Sequence, residues 1–329
     1  MGNTKIEWAE KTWNPITGCS KISEGCRNCY AERMSKRLAG RCGYPKENPF
    51  AVTLHPERLE EPLRWRKPSR IFVCSMGDLF HEDVPDEFID QVFGVILACR
   101  ILKNIPSHTF LILTKRPERM ARYLTEREPV ELLKAWANIA PVRTDNEDIT
   151  FDELVYSECC HDWDKNGRNS KGSEYKPWGY IDSLWPLPNV WFGVTAENQE
   201  QADKRIPILL QIQAAVRFVS VEPMLGPVDL TDLQIPYEVD PRGFNFNALT
   251  ENDDDHYYNH HAKLDWVICG GESGPNARPM QQEWARSLRD QCVAAGVPFF
   301  LKQMDVAGKL VKMPELDGQR WAQWPEATS

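Results

Sequence analysis

At 329 residues, 42% of them hydrophobic, the chain is long enough to bury one large core. Its apolar runs all fall short of membrane-spanning length, and the N-terminal stretch with Lys5, Glu7, Glu10 and Lys11 lacks the apolar centre of a signal peptide, so a soluble, cytoplasmic protein is expected. A formal net charge of −9 opposes indiscriminate binding to nucleic acid, although the acidity is uneven and concentrates in Glu251-Asn252-Asp253-Asp254-Asp255 and in 144–164.

In chain order, a short strand around 12–17 is expected to run into a loop carrying Cys19, Cys26 and Cys29, punctuated by Gly18 and Gly25, with a helix near 28–39 after it. Arg58 and the stretch Arg64-Trp65-Arg66-Lys67-Pro68-Ser69-Arg70 then gather positive charge around an indole, a composition that suits phosphates and a stacked base and equally suits a solvated loop before strand 71–75. Helix 86–102, strand 109–114 and helix 117–137 follow, with Asp86 and Pro117 supplying capping and first-turn chemistry. Strand 190–195, helix 198–213 opened by Asn198, strands 217–221 and 265–269, helix 281–295 and strand 298–302 complete the alternation. Segments 138–189 and 231–262, rich in Asp, Asn, Gly, Pro and His, interrupt it as inserted loops or lids.

Strands that are apolar throughout and separated by helices imply a parallel sheet covered on its outer face. The expected fold is α/β: a partial or nearly closed (βα) barrel of about six parallel strands over 1–303, with the two insertions and a C-terminal extension over 304–329. Polar clusters stand at the carboxyl ends of these strands: Ser75-Met76-Gly77-Asp78, Thr114-Lys115-Arg116, Thr195-Ala196-Glu197-Asn198, Ser220-Val221-Glu222 and Gly270-Gly271-Glu272-Ser273. That end is the active-site face of α/β barrels, and five clusters in register are hard to assign to folding alone.

The cysteines carry the chemistry. Thiolates are soft ligands for zinc and for iron–sulfur iron, and a trio on one short loop is a donor set for either. A structural zinc site closes with four protein ligands, whereas a cluster held by three thiolates leaves one iron open to an outside molecule. Cys159-Cys160-His161 is the best available partner for the zinc alternative, and Cys74, Cys99, Cys269 and Cys292 lie in apolar runs where cysteine is a small buried residue.

The spacing C-x6-C-x2-C over Cys19, Cys26 and Cys29 resembles a variant of the three-cysteine loop of radical S-adenosylmethionine (SAM) enzymes, whose usual spacing is C-x3-C-x2-C. The wider stretch Trp13-Asn14-Pro15 … Gly25-Cys26-Arg27-Asn28-Cys29-Tyr30, together with Ser75-Met76-Gly77-Asp78-Leu79-Phe80, Leu113-Thr114-Lys115-Arg116-Pro117, Phe192-Gly193-Val194-Thr195, Ser220-Val221-Glu222-Pro223-Met224 and Gly270-Gly271-Glu272-Ser273-Gly274-Pro275, is similar to a phage-associated branch of that superfamily. The chain departs from the common pattern in the six-residue gap and in Asn28, which stands where an aromatic usually precedes the last cysteine.

The resemblance implies that Cys19, Cys26 and Cys29 hold a 4Fe-4S cluster, that SAM chelates its open iron, and that reduction cleaves SAM to a 5′-deoxyadenosyl radical which takes hydrogen from an unactivated carbon. It implies an electron donor such as flavodoxin or ferredoxin and, for a phage-encoded chain, the host cytoplasm. Gly77 and Asp78, which follow the second strand as the family's G-G-E motif does, are expected at the SAM amine, with Gly270-Gly271-Glu272, which matches the motif's letters but follows the sixth strand, as the alternative; Lys115 and Arg116 are candidates for the SAM carboxylate or a substrate phosphate, and Glu197, Ser220 and Glu222 for the ribose and adenine of SAM or for orienting substrate. Arg116, Glu272, Arg64 and Arg66 are candidates for substrate.

A nucleotide or a modified base in phage DNA is the leading substrate class, through rearrangement or other radical tailoring, with a peptide or a small metabolite as alternatives. A zinc-stabilised, non-catalytic nucleic-acid-binding protein is the competing function class.

Overall fold

The computed structural model describes residues 4–140, 150–159, 184–235, 245–251 and 262–326. Strand β1 (Lys11–Trp13) is followed by β2 (Ile16–Thr17), which pairs antiparallel with β3 (Thr53–Leu54) across the cysteine loop and helix α1 (Tyr30–Leu38). Next come β4 (Arg70–Val73), α2 (Asp86–Ile101), β5 (Thr109–Thr114), α3 (Pro117–Thr125), α4 (Pro129–Ile139) and α5 (Phe151–Cys159). The second half holds β6 (Val190–Thr195), α6 (Gln199–Leu210), β7 (Val216–Val221), the small ribbon of β8 (Leu233–Gln234) with β9 (Asn245–Phe246), β10 (Trp266–Gly270), α7 (Gln282–Ala295), β11 (Phe299–Val306), β12 (Lys309–Lys312) and a final pair, β13 (Glu315–Leu316) with β14 (Gln319–Arg320).

The principal sheet has eight strands in the order β1-β4-β5-β6-β7-β10-β11-β12 and curls into a half-barrel. The first seven are parallel and β12 is antiparallel to β11, so the count exceeds the six expected. The strand expected at 298–302 runs on to Val306 and turns back, carrying the sheet past the expected boundary at 303.

Alternate residues of the strands enter two separate cores, because successive side chains point to opposite faces. Phe110, Ile112, Phe192, Val219, Val267 and Phe299 face the helices. Leu111, Trp191, Phe218, Trp266, Ile268 and Phe300 form a second cluster that is completed by Trp8 from the N-terminal segment and Trp324 from the C-terminal one. Trp8 packs on Phe72 with ring centroids 4.7 Å apart, and Trp324 on Phe300 at 4.9 Å. Where barrel closure would seal this face with another strand, aromatic rings fill it instead. Gly193 makes the packing possible, since a Cβ there would lie 2.4 Å from the Phe218 ring.

Two helices replace the one expected over 117–137. Pro129 lacks an N–H and holds Glu128 extended (φ −61°, ψ 146°), so α3 ends and α4 restarts behind a capping box between Glu128 and Glu131. Asn198 caps α6 as its sequence position suggests, its side chain accepting from the Gln201 N–H at 3.1 Å. Among the described residues no helix is long and apolar enough to cross a membrane.

Candidate functional site

Strand β1 delivers the chain to the rim of the sheet, where Asn14 stitches two loops together. Its side-chain carbonyl accepts from the Ser75 hydroxyl at 3.2 Å and from the Met76 N–H at 2.9 Å. Gly18 then pairs with Gly77 as an isolated parallel bridge and donates its N–H to the Met76 carbonyl at 2.9 Å. Its φ of +86° and the approach of Ala51, whose carbonyl oxygen would stand 2.0 Å from a Cβ, restrict this position to glycine. The backbone leaves that bridge at Cys19, forms a short turn over Glu24–Cys26 and enters α1 with Cys29 as N-cap. All three cysteines are half-buried free thiols, whereas Cys74, Cys99, Cys269 and Cys292 are buried, as the apolar runs around them suggest.

Three buried carboxylates from three strand ends hold this loop. Asp78, after β4, accepts from the Thr114 hydroxyl at 2.7 Å and the Phe80 N–H at 3.0 Å through Oδ1, and from the Lys115 N–H at 3.2 Å and Arg116 Nη1 at 3.3 Å through Oδ2. Arg116 carries the connection onward, donating to Cys19 Sγ at 3.4 Å and to Ser20 Oγ at 2.8 Å. Glu197, after β6, accepts from the Gly25 N–H at 3.1 Å and from Arg205 Nη1 at 2.9 Å. Glu272, after β10, accepts from Asn28 Nδ2 at 2.8 Å and from the Arg278 backbone at 2.9 Å and side chain; Arg278 in turn reaches Glu24 at 3.1 Å.

These contacts set the charges. Burial raises the Glu197 pKa, but Lys115 and Arg205 outweigh it and hold the carboxyl below its ordinary value. Glu272 behaves alike: burial opposes ionisation, and hydrogen bonds from Arg278 and Asn28 overcome it. The thiols separate. Burial and the Asp78 carboxylate push Cys19 up to about 11 against the counter-pull of Arg116, whereas at Cys26 burial is overcome by Lys115 and by backbone hydrogen bonds, so its thiol titrates below the usual range. The half-buried Lys115 lowers both Cys26 and Glu197, and it forms no ion pair among the described residues.

Residues 3–325 match a protein family described as "Protein of unknown function (DUF5131)". The chain belongs to the DUF5131 family. No curated protein and no solved structure matches it.

In this DUF5131 chain the sequence candidates divide by position. Cys19, Cys26, Cys29, Gly77, Asp78, Lys115, Arg116, Glu197 and Glu272 converge on the cysteine loop. Asp78 and Glu197, however, use both carboxylate oxygens on internal partners. Ser220 is buried and donates to Glu222 Oε2 at 3.2 Å; that same oxygen accepts from Trp8 Nε1 at 3.4 Å, and Oε1 pairs with Lys302 at 2.9 Å. Arg64 and Arg66 lie before β4, at the amino ends of the strands and so away from the cysteine rim. Arg64 is ion-paired with Glu60 at 2.9 Å, and the Trp65 indole is taken up by Lys11 and His108 rather than left open for a base.

Residues that the sequence reading missed include Asn14, Ser20, Arg205, Arg278 and Lys302. Arg205, within α6, follows Glu197 by eight residues, and Arg278 follows Glu272 by six, but neither spacing announces a partner in advance. Cys160 and His161 lie outside the described residues.

Among the described residues no three Cys, His, Asp or Glu side chains already stand grouped around a metal position, so a shared ion or cluster requires the half-exposed thiols to turn toward one another. The donor set fits such a group. Three free soft ligands share one loop, Cys29 sits at the N-terminus of α1 where the helix dipole favours negative charge, and Lys115 and Arg116 place positive charge beside the thiols.

Proposed function

We propose that this chain is a radical SAM enzyme in which Cys19, Cys26 and Cys29 hold a 4Fe-4S cluster at the carboxyl ends of the half-barrel strands. The observation that carries the reading is the convergence of three carboxylates, from turns after three different parallel strands, on one loop of three free cysteines. Such a cluster, with SAM on its open iron, supplies on one-electron reduction a carbon radical able to take hydrogen from an unactivated C–H bond.

The chain's own residues hold and orient. Lys115, whose ammonium has no paired carboxylate among the described residues, binds the SAM carboxylate, and Asp78 fixes it from beneath through the Lys115 N–H. Glu197 and Glu272 keep Gly25 and Asn28, and hence the second and third cysteines, in place over the sheet. The aromatic cluster around Trp8 and Trp266 closes the inner face below the rim to water.

For the substrate, a nucleotide or nucleic acid has to be held at the rim rather than through Arg64 and Arg66. Arg33, whose guanidinium lies beside Gly274 and over the Tyr30 ring and has no ion pair among the described residues, supports that reading as a cation for its phosphate. A low-potential flavodoxin or ferredoxin is the reductant class.

The test is formation of 5′-deoxyadenosine from SAM under dithionite by anaerobically reconstituted protein. Wild type should form it and Cys19→Ala, Cys26→Ala and Cys29→Ala should not. A zinc-loaded, iron-free wild type that leaves SAM intact would instead favour the zinc-stabilised binding protein.

A further inference from the structure

Among the described residues, Arg116 makes the one guanidinium contact to a cysteine sulfur of the loop. It is 4% exposed, and all five of its N–H groups have acceptors. Nε forks onto Glu82, 3.1 Å from each oxygen. Nη1 points to Asp78 Oδ2 at 3.3 Å and to Cys19 Sγ at 3.4 Å, and Nη2 to the Ser20 carbonyl at 3.3 Å and its hydroxyl at 2.8 Å. In this arrangement each Arg116 donor is committed to the protein. Ser20 itself is fixed from the other side by His81 Nε2 at 2.8 Å.

We propose that Arg116 is a positioning residue that makes the metal centre easier to reduce, by donating a charge-assisted hydrogen bond to the sulfur of Cys19. The inference rests on the cluster reading above. Reduction adds one electron, taken from a low-potential donor that is itself oxidised by one electron, and no proton moves. The added negative charge spreads over the sulfurs, so an N–H donor with a fixed positive charge stabilises the reduced state more than the oxidised one. Burial strengthens the effect, because the guanidinium acts in a medium of low dielectric constant. Its planar fork, clamped at three other points, leaves this one N–H direction free for sulfur.

The experiment is a redox titration, followed by electron paramagnetic resonance with dithionite as reductant, of reconstituted wild type, Arg116→Gln, Arg116→Lys and Ser20→Ala. Arg116→Gln should lower the reduction potential by about 59 mV, a tenfold change for one electron. Arg116→Lys, which keeps the charge and loses the fork, should lower it by less but measurably. Ser20→Ala removes an exposed, uncharged acceptor of the guanidinium and keeps the proposal testable should the arginine variants fail to fold; it should lower the potential slightly at unchanged iron content. Iron-loaded variants at the wild-type potential would overturn the inference alone. A wild-type potential in Arg116→Lys with a shift only in Arg116→Gln would assign the effect to charge and overturn the hydrogen-bond role. A wild type that takes up no iron would overturn the cluster reading and this inference with it.

Discussion

Asn28 and Glu272 stand 244 residues apart and are joined by a hydrogen bond of 2.8 Å from the amide to the carboxylate. This bond fastens the segment between the second and third cysteines to the turn after β10, and Arg278 holds the same carboxylate from the other side.

The pH dependence of stability follows from that carboxylate. Burial alone would raise its pKa, but Arg278 and Asn28 depress it below the ordinary 4.5. Its contribution is therefore fully present above about pH 4.5 and is lost as pH falls through the depressed value. Glu272→Gln should reduce stability by about 1.5–3 kcal/mol at pH 7, the range for hydrogen bonds to charged groups. Urea denaturation of both proteins should show that gap narrowing as pH drops below 4.5; a gap that persists at low pH would remove the ionised carboxylate from the explanation.

Asp78 has a different expected signature from that of a residue touching only a ligand. Its removal orphans the Thr114 hydroxyl and the Lys115 N–H and leaves the buried Arg116 guanidinium without its nearest buried carboxylate. Asp78→Ala should lose about 3–5 kcal/mol of stability, as breaking a buried pair does. It should also lower metal retention, read by denaturant melts and iron analysis. Selective loss of SAM binding at full stability would restore the role at the SAM amine that the sequence suggests.

How far the sequence could be read follows from these same residues. Apolar runs such as Phe110–Ile112 and Val190–Thr195 have one reading, so the parallel strands and the rim of polar clusters were legible. Pro129 was a legible break passed over within a helical pattern. A partial barrel was legible from the same alternation, but the filling of its inner face was not, because Trp8 and Trp324 reach that face from segments far apart in the chain. Charge at Arg64 and Arg66 has two readings in the sequence, a phosphate patch or a solvated loop, because local composition carries no direction; their place ahead of a strand puts them at its amino end. Arg116 and Lys115 are adjacent in sequence and look equivalent, yet the turn after β5 directs one inward to Asp78 and Cys19 and leaves the other without an ion pair among the described residues.

The thiols of the metal-free chain should differ in reactivity. Lys115 and the backbone hydrogen bonds pull Cys26 below the ordinary thiol pKa despite burial, whereas burial and Asp78 raise Cys19 to about 11. The thiolate is the nucleophile, so at pH 8 iodoacetamide should modify Cys26 ahead of Cys19. Peptide mass spectrometry over a time course reads the order, and Cys19 reacting first would contradict the assigned electrostatics.

Lys115→Met tests the rim cation. The side chain makes no ion pair among the described residues, and Arg205 still faces Glu197, so its loss should cost SAM affinity far more than fold or iron content. SAM affinity should fall at least tenfold, the effect of losing about 1.4 kcal/mol from one charge-assisted contact. Equilibrium dialysis with labelled SAM measures it, and unchanged affinity would move the carboxylate site elsewhere.

The central claim is that Cys19, Cys26 and Cys29 together bind an iron–sulfur cluster. The most direct measurement is iron, acid-labile sulfide and zinc analysis of anaerobically reconstituted wild type beside the three single Cys→Ala variants. The account predicts about four iron and four sulfide per wild-type chain, as a 4Fe-4S cluster requires, and loss of both in every variant. One zinc per chain without iron, or iron retained in all three variants, would contradict it.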